Sequence, residues 1–395
     1  MSFHEHQLAR LRELYPSSDP ASLLEAAYAQ GFSANEYFRT NPDLVEAGLD
    51  EAGAAYHYLS CGGLQEQRRF NSSINDGDRS WMAALEAFPL DSPASRMLLV
   101  NLMLNRIWSD RSPLNAEQGM CAEFLAICSR KGIRPLLMIG DSHCQAYLLP
   151  QEIRGNVYVP LPMVCHGGSA SGLTNPDSRS GFGTNITRFL DAHGSLIRGF
   201  ALPCFFKFGQ VDAEFVWVFK RAQRHETSWS TADFEAFAAN AVIRYMDFLD
   251  HLSAAHGLAD QTRVLSIFPP TLSDASWHKG YVNARIGRLE SDMAGDVLSE
   301  KVRQLSIPTQ RERTRLHALW NALVMMECAR RDLLYVDDFQ MLLDQRGLVD
   351  NTYTAGHDGA DHHLAVALMS GVARNIFERY AKTAVAGGGP DRREC

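Results

Sequence analysis

Three residue types that cooperate in acyl transfer, a Ser, an acid and a His, occur at two distant places in this chain. The first is Asp141-Ser142-His143, which directly follows an apolar run. The second is the segment 357–363, which holds three His and two Asp. A Ser hydroxyl is a weak nucleophile unless a base accepts its proton and a third group orients that base. The two places together therefore predict nucleophilic catalysis, provided that the fold joins them.

The first place is predicted to lie at the end of a buried strand. Residues 136–139 are all apolar and Gly140 follows them, which is typical of a strand covered on both faces. Gly140 permits a tight turn, and 144–149 can form one helical turn before Pro150. Ser142 would then lie at the carboxyl end of a central strand, where α/β proteins bind ligands. In the alternative interpretation, Asp141 and Ser142 only cap backbone donors.

Strand and helix patterns alternate between residues 133 and 385, which predicts an α/β domain with a parallel sheet. The predicted strands are 136–139, 157–164, 200–208, 264–267 and 333–336. The predicted helices are 231–256, 280–305, 309–331 and a last helix from about His363 to Tyr380. Residues 386–395 are expected to be a flexible tail.

Gly140-Asp141-Ser142 resembles the first sequence block of the SGNH/GDSL hydrolase superfamily, in the branch that has His after the Ser. The resemblance implies a three-layer α/β/α, flavodoxin-like fold with Ser142 as the nucleophile. It also implies that the N–H of Ser142 and a Gly after the second strand donate to the oxyanion. In the loop 167–176, Gly172 matches that second block well and Gly168 matches it less well.

A third block is expected at Phe208-Gly209-Gln210-Val211-Asp212. The main superfamily has an Asn here whose side chain is a further oxyanion donor. Val211 occupies that register and cannot donate, whereas Gln210 offers an amide one residue earlier. Asp212 matches the branch, so the resemblance implies a role at the substrate site for Gln210 and Asp212.

The last block of the superfamily, Asp-x-x-His, resembles the segment from Asp358 to Leu364. Either His362 or His363 is the implied base, and His363 is preferred because Leu follows it and the final helix is expected to start there. Either Asp358 or Asp361 would orient the imidazole, with Asp358 preferred. His143, beside the nucleophile, either lines the pocket or packs in the core.

The segment 357–363 has two other interpretations. Imidazole and carboxylate groups suit zinc or manganese, but ligands from one short loop rarely complete a site, and no Cys or HExxH motif joins them. In the second interpretation, the segment is a polar loop with only a structural role. We therefore expect no metal and no cofactor.

Residues 1–70 predict a small helical accessory module. Tyr37, the run Asn41-Pro42-Asp43, the pair His57-Tyr58 and the following glycines resemble a short bacterial repeat found beside glycosyltransferases, methyltransferases and surface proteins. Tyr37, His57 and Tyr58 are expected to form the module's core, and the module is a possible site for a protein partner. Residues 71–132 are predicted to be a linker and packing helices.

The composition limits which binding partners and which cellular compartment we expect. The 395 residues carry a net charge of −8 with no basic block, which argues against nucleic acid. No apolar stretch is long enough to span a bilayer. No signal peptide is visible and the eight Cys are dispersed, which predicts a cytoplasmic protein with reduced thiols, unless it is exported without a leader.

The sequence thus predicts a serine esterase, acyl hydrolase or O-acyltransferase. Its expected substrate is an O-acylated, in particular O-acetylated, carbohydrate. The alternative is a non-catalytic protein that binds a glycan or a partner on a degenerate form of the same fold.

Overall fold

The computed structural model describes residues 3–14, 19–29, 32–62, 121–148, 150–178, 180–278, 300–354, 362–364 and 369–381. The chain divides into two compact units, one of residues 1–135 with 150–161 and one of 136–149 with 162–395. Most of the predicted linker, the predicted tail 386–395 and both candidate orienting acids, Asp358 and Asp361, lie outside the described residues.

The described secondary structure of residues 3–62 is entirely helical. It comprises α1 (Phe3–Leu14), α2 (Pro20–Ala29), α3 (Ala34–Thr40), α4 (Pro42–Glu46), α5 (Glu51–His57) and a π-helical turn (Tyr58–Gly62). Ser33 caps α3 by accepting the N–H of Glu36 at 3.3 Å. Tyr37, His57 and Tyr58 are buried, and the Tyr37 hydroxyl lies 3.0 Å from Nδ1 of His57. These aromatic side chains form the core of the helical group.

The chain is an α/β protein built on a six-stranded, mostly parallel sheet. The strands are β1 (Ile133–Gly140), β2 (Gln151–Ile153), β3 (Asn156–Val164), β4 (Cys204–Lys207), β5 (Thr262–Leu265) and β6 (Leu334–Val336). Their spatial order is β2-β3-β1-β4-β5-β6. The pairs β1–β4, β4–β5 and β5–β6 are parallel, and β2 is antiparallel to β3. The predicted α/β class is confirmed.

Helices connect the strands. They are α6 (Ala122–Arg130), α7 (Phe182–Gly199), α8 (Trp217–Arg224), α9 (Thr231–His256), α10 (Asp274–His278), α11 (Gln310–Arg330) and α12 (Ser370–Ile376). The long helices α9 and α11 pack against each other. Thr309 and Glu312 form a capping box at the start of α11, which fixes where that helix begins. None of the described helices is long and apolar enough to cross a bilayer.

Several strand ends differ from the sequence prediction by up to three residues, and two larger differences have a clear structural cause. Residues 200–203, expected in a strand, instead end α7, because the N–H of Leu202 bonds back to the carbonyl of Ile197 and Ala201 adopts a φ of 50°. The short strand β2 was not predicted. It forms because Arg154 and Gly155 both have positive φ, 49° and 77°, which makes the two-residue turn of a hairpin.

The final helix also begins later than predicted. His363 was expected to start it, but α12 starts at Ser370. Leu364 instead forms an isolated antiparallel bridge with Thr354. The pair His362 and His363 therefore lies in a bend just before the bridged Leu364, and not on a helical turn.

Gly209, which follows β4, offers a test of the packing. It has a φ of 116°, and a Cβ there would lie 2.5 Å from Nε1 of the buried Trp320. Gly347 has a φ of 73° with open space around it. We expect Gly347→Ala to lower the free energy of unfolding by about 1 kcal/mol and Gly209→Ala by about 3 kcal/mol or more, because only the latter adds a steric clash. Urea unfolding checks this; equal losses would contradict it.

Candidate active site

Ser142 lies where β1 ends, beside the ends of β3 and β4. The carbonyl of Gly140 accepts the N–H of Cys165 at 2.7 Å, and the N–H of Asp141 bonds to the carbonyl of Lys207 at 2.9 Å. A 3₁₀ helix, Ser142–Tyr147, follows at once. The N–H of Ser142 opens this helix, so helix geometry leaves it without an intrahelical acceptor. Ser142 itself is half-buried.

Gly140 is required because a side chain would not fit at this position. The sequence predicted a different reason, namely that Gly permits a tight turn there. It is absent from the positive-φ glycines among the described residues. A Cβ at this position would overlap the carbonyl oxygen of Lys207 and lie 2.9 Å from Cβ of Cys144. The close approach of β4 to the nucleophile turn therefore requires Gly here.

The structure brings Ser142 and His363 together. Nε2 of His363 lies 2.9 Å from Oγ of Ser142, although the two residues are 221 positions apart. His363 is half-buried, whereas His362 is buried and its ring meets that of Phe215 edge-on at 5.4 Å. Of the two candidate bases, it is His363 whose imidazole reaches the Ser hydroxyl. A hydroxyl and an imidazole at this separation can exchange a proton.

His143 connects the nucleophile turn to the segment that carries His363. Its Nδ1 lies 3.0 Å from Oδ1 of Asp141, and its Nε2 lies 3.2 Å from the carbonyl oxygen of His362. Both partner atoms are acceptors, so only a doubly protonated ring can donate both bonds. The ring also stacks on that of His363 with centroids 4.8 Å apart.

This bridging position was not predicted, because sequence reasoning assigned His143 only to pocket lining or to packing. The local signal is the spacing of Asp141 and His143. An Asp two residues before a His can accept both its N–H and its ring proton, and Oδ1 of Asp141 accepts the N–H of His143 at 2.9 Å. The other partner, the carbonyl of His362, lies far away in sequence, and no local pattern identifies it.

Burial and neighbouring charges shift the pKa of Asp141 in opposite directions. Burial alone would raise the pKa of this fully buried carboxyl, but the charge and hydrogen bonds of His143 and the charge of Lys207 lower it overall. Oδ2 of Asp141 accepts no hydrogen bond from any described residue. The neighbouring side chains of His143 and Lys207 therefore favour the ionised form of this carboxyl.

A buried polar cluster from the ends of β4, β5 and β6 completes this edge of the sheet. Nζ of Lys207 donates to the carbonyl of Ser266 at 2.6 Å. The carboxylate of Asp338 accepts from the hydroxyls of Ser266 and Tyr147. Burial lowers the pKa of Lys207 to about 8, although Asp141 and Asp338 act in the opposite direction. Burial raises the pKa of Asp338, partly opposed by Lys207.

Asp212 supports a loop. It is fully buried, and its carboxylate accepts the N–H of Ala170 at 2.5 Å and the N–H and hydroxyl of Ser171 at 3.1 and 2.6 Å. Burial raises the pKa of Asp212, and the hydrogen bonds from Ser171 and Ala170 oppose that rise. These three bonds fix the loop that follows β3.

The other predicted oxyanion donors are engaged within the protein. The amide of Gln210 donates to Oε1 of Glu214 at 2.8 Å and to the carbonyl of Phe268 at 3.2 Å. The N–H of Gly172 donates to Ser169, and the N–H of Gly168 bonds to the carbonyl of Cys165 at 2.8 Å. Gln210 thus joins the ends of β4 and β5, and the two glycines close turns. In this arrangement the N–H of Ser142 is the candidate oxyanion donor with no such engagement.

A metal ion is the other chemistry that the histidines could serve. Ring nitrogens of His143, His362 and His363 all lie within 4.8 Å of one another. However, both ring nitrogens of His143 contact acceptors and Nε2 of His363 contacts Ser142. An ion bound by all three rings would require at least one of the two His143 contacts to break.

Comparisons with known proteins do not assign this chain to a family. No protein-family model matches the chain, and neither the curated proteins nor the solved structures gave a match. The chemistry of the site is therefore argued from its own geometry.

The bridge made by His143 can be tested by His143→Phe, which keeps an aromatic ring and removes both hydrogen bonds. We expect the free energy of unfolding to fall by about 3 kcal/mol, since one of the lost bonds is to a buried carboxylate. His251→Phe, at an exposed position on α9, should change it by less than about 0.5 kcal/mol. Urea unfolding measures both. If His143→Phe is as stable as the control, the bridge does not stabilise the fold.

The buried Lys207 predicts a pH dependence. The folded protein releases this proton near pH 8 and the unfolded chain near the ordinary value of 10.5. Over that range the unfolded state binds more protons, so this group adds stability as the pH rises, roughly 2–3 kcal/mol by about pH 10. Relative to Lys207→Met, the wild type should gain that amount between about pH 7.5 and about pH 10. Urea unfolding at both pH values tests this, and a constant difference between the two proteins would refute it.

Proposed function

We propose that this protein is a serine esterase or O-acyltransferase in which Ser142 is the nucleophile and His363 is the base. The observation that carries the proposal is the 2.9 Å contact between Oγ of Ser142 and Nε2 of His363. A Ser hydroxyl within hydrogen-bond reach of an imidazole is the nucleophile and base pair that acyl transfer through a Ser uses.

In the first half-reaction, Oγ of Ser142 attacks the ester carbonyl carbon as Nε2 of His363 takes the hydroxyl proton. The N–H of Ser142 donates to the oxyanion that forms. When the tetrahedral intermediate collapses, the imidazolium of His363 returns the proton to the departing alcohol, leaving an acyl-Ser142 ester. In the second half, water or another hydroxyl attacks that ester, with His363 again as base.

The strand order supports the more specific resemblance to SGNH hydrolases. Without the antiparallel β2, the strands lie in the order β3-β1-β4-β5-β6, which is the flavodoxin-like order 2-1-3-4-5. The hydrogen bonds from Val157 to Gly132 and from Cys165 to Gly140 run in register along β3 and β1, as parallel neighbours do. We therefore propose a three-layer, flavodoxin-like fold of the SGNH type.

The proposed substrate is an O-acylated, in particular O-acetylated, carbohydrate. The proposal follows the polysaccharide-modifying branch that the Gly-Asp-Ser-His block resembles. It is supported by the loop 166–180 at the same edge of the sheet, because Ser169, Ser171, Asn175, Ser178 and Ser180 of this loop line a cavity. Hydroxyl and amide side chains are suited to hydrogen bonding with sugar hydroxyls.

A second candidate function is glycan binding without catalysis. The observation that favours it is the engagement of Gln210, Gly168 and Gly172 within the protein. In the described part of the chain, this leaves the N–H of Ser142 as the one proposed oxyanion donor without such a bond. Removal of a single oxyanion donor typically costs an enzyme about 10²–10³ in rate. A site with one donor would therefore be slow or inactive.

Hydrolysis of 4-nitrophenyl acetate separates the candidates. For an enzyme, Ser142→Ala and His363→Ala should each lower kcat/KM by about 10³-fold or more, because nucleophile and base act as one unit. Ser228→Ala, on an exposed loop, should leave it unchanged. Circular dichroism confirms that each variant is folded. No hydrolysis by the folded wild type would favour the binding protein. Activity that EDTA abolishes and Ser142→Ala retains would instead indicate a metal-dependent hydrolase.

A further inference from the structure

The loop that Asp212 supports borders a cavity of about 630 Å³. Residues of the loop 166–180 line one side, and Val211, Val216, Phe219, Lys220 and Arg244 line the other. Its lining combines His166 and the five Ser and Asn side chains of the loop with two cationic side chains. No Asp or Glu is among the described residues that line it.

The two cations have no carboxylate partner in the described part of the chain. Nε and Nη2 of Arg244 both donate to Oγ1 of Thr174, at 3.0 and 2.9 Å. Nζ of Lys220 lies over the ring of Phe237 at 5.4 Å. Both side chains are half-buried, which weakens screening by solvent. Two such cations beside a cavity without acids produce a positive potential there.

A second cavity of about 310 Å³, which shares Ser171 and Lys220, provides a contrast. Besides Lys220 it is lined by Arg221 and Arg224, but also by Glu226 and Asp233, so two acids offset two of its three cations. The larger cavity, with two cations and no acid among its described lining residues, has the greater excess of positive charge.

The larger cavity is preformed. The carboxylate of Asp212 fixes Ala170 and Ser171, and Arg244 fixes Thr174, so the loop is held from two sides. The N–H of Gly172 also donates to Oγ of Ser169 at 3.1 Å, which adds a hydrogen bond within the loop. A preformed site loses less conformational entropy when a ligand binds.

The cavity and Ser142 lie at the same edge of the sheet. The loop begins directly after Cys165, whose N–H bonds to the carbonyl of Gly140, two residues before the nucleophile. Val211, on the other side of the cavity, follows the end of β4, which pairs with β1 up to Gly140. The cavity and Ser142 therefore adjoin the same two strand ends, of β1 and β4.

We propose that this cavity binds a carboxylate-bearing sugar, and that the substrate is an O-acylated acidic glycan that contains uronic acid residues. Lys220 and Arg244 would pair with the carboxylate, since a guanidinium matches its two oxygens, and the Ser and Asn side chains would bond the sugar hydroxyls. The assignment of this glycan as substrate, but not its binding, rests on the proposed function.

The binding is tested with the Ser142→Ala protein, which cannot turn over an ester by the proposed mechanism. Calorimetry compares a tetrasaccharide of galacturonate with a neutral tetrasaccharide of galactose. We expect the acidic ligand to bind at least about tenfold more tightly, with an affinity that falls as NaCl rises from about 50 to about 300 mM. Equal affinities would overturn the proposal.

Added substitutions locate the site. Lys220→Gln with Arg244→Gln should lower the affinity for the acidic ligand at least about tenfold and leave that for the neutral ligand within about twofold. Arg311→Gln, an exposed cation on α11 outside the cavity lining, should have no effect. If Arg311→Gln weakens binding as much as the double substitution does, or if inorganic phosphate displaces the acidic ligand at equal concentration, the cavity is not a uronate site.

The proposed esterase function and the proposed uronate site can be refuted independently of each other. If the acidic ligand binds through Lys220 and Arg244 while the wild type shows no esterase activity, the proposed function is wrong and the binding site stands. If the wild type hydrolyses 4-nitrophenyl acetate through Ser142 but the acidic ligand has no advantage, the inferred glycan is wrong and the proposed function stands.

Discussion

The hydrogen bonds of His143 are the constraint on which the proposed site depends. One ring nitrogen contacts Asp141, beside the nucleophile, and the other contacts the carbonyl of His362, beside the base. A single buried side chain thus spans two segments that are 219 positions apart. Because His363 follows His362 directly, fixing that carbonyl also fixes the backbone that carries the base. The stacked rings of His143 and His363 restrict the imidazole further.

This arrangement places charged side chains inside the protein. Oppositely charged side chains at the ends of neighbouring parallel strands compensate them. Asp141 and Asp338 follow β1 and β6, and Lys207 ends β4 between them in the sheet order. All three are fully or almost fully buried. Isolated buried charges are costly, but a cation between two carboxyl groups, with hydroxyls of Tyr147 and Ser266 on one of them, reduces that cost. The same strand ends that place the nucleophile therefore also neutralise its surroundings.

Residue types and strand patterns predicted the α/β class, because their signals are local. The resemblance of short sequence blocks named Ser142 and left His362 and His363 as alternative bases, with His363 preferred. The roles of Gln210 and Asp212 followed from a resemblance, whereas their contacts lie on other strands and loops: Gln210 bonds Phe268, and Asp212 bonds Ala170 and Ser171. A single sequence does not show such partners. The start of the last helix was wrong for the same reason, since Thr354 bridges to Leu364. Lys207 carried no signal at all within its apolar strand.

The central claim, that His363 activates Ser142, is tested most directly by covalent labelling with a fluorophosphonate, followed by peptide mass spectrometry. A fluorophosphonate reacts with a Ser whose hydroxyl is activated by a base, releasing fluoride and leaving a phosphonylated oxygen. The account predicts one adduct, on Ser142, in the folded wild type, and its loss in folded His363→Gln. An adduct on another Ser, or equal labelling of Ser142 without His363, would contradict it.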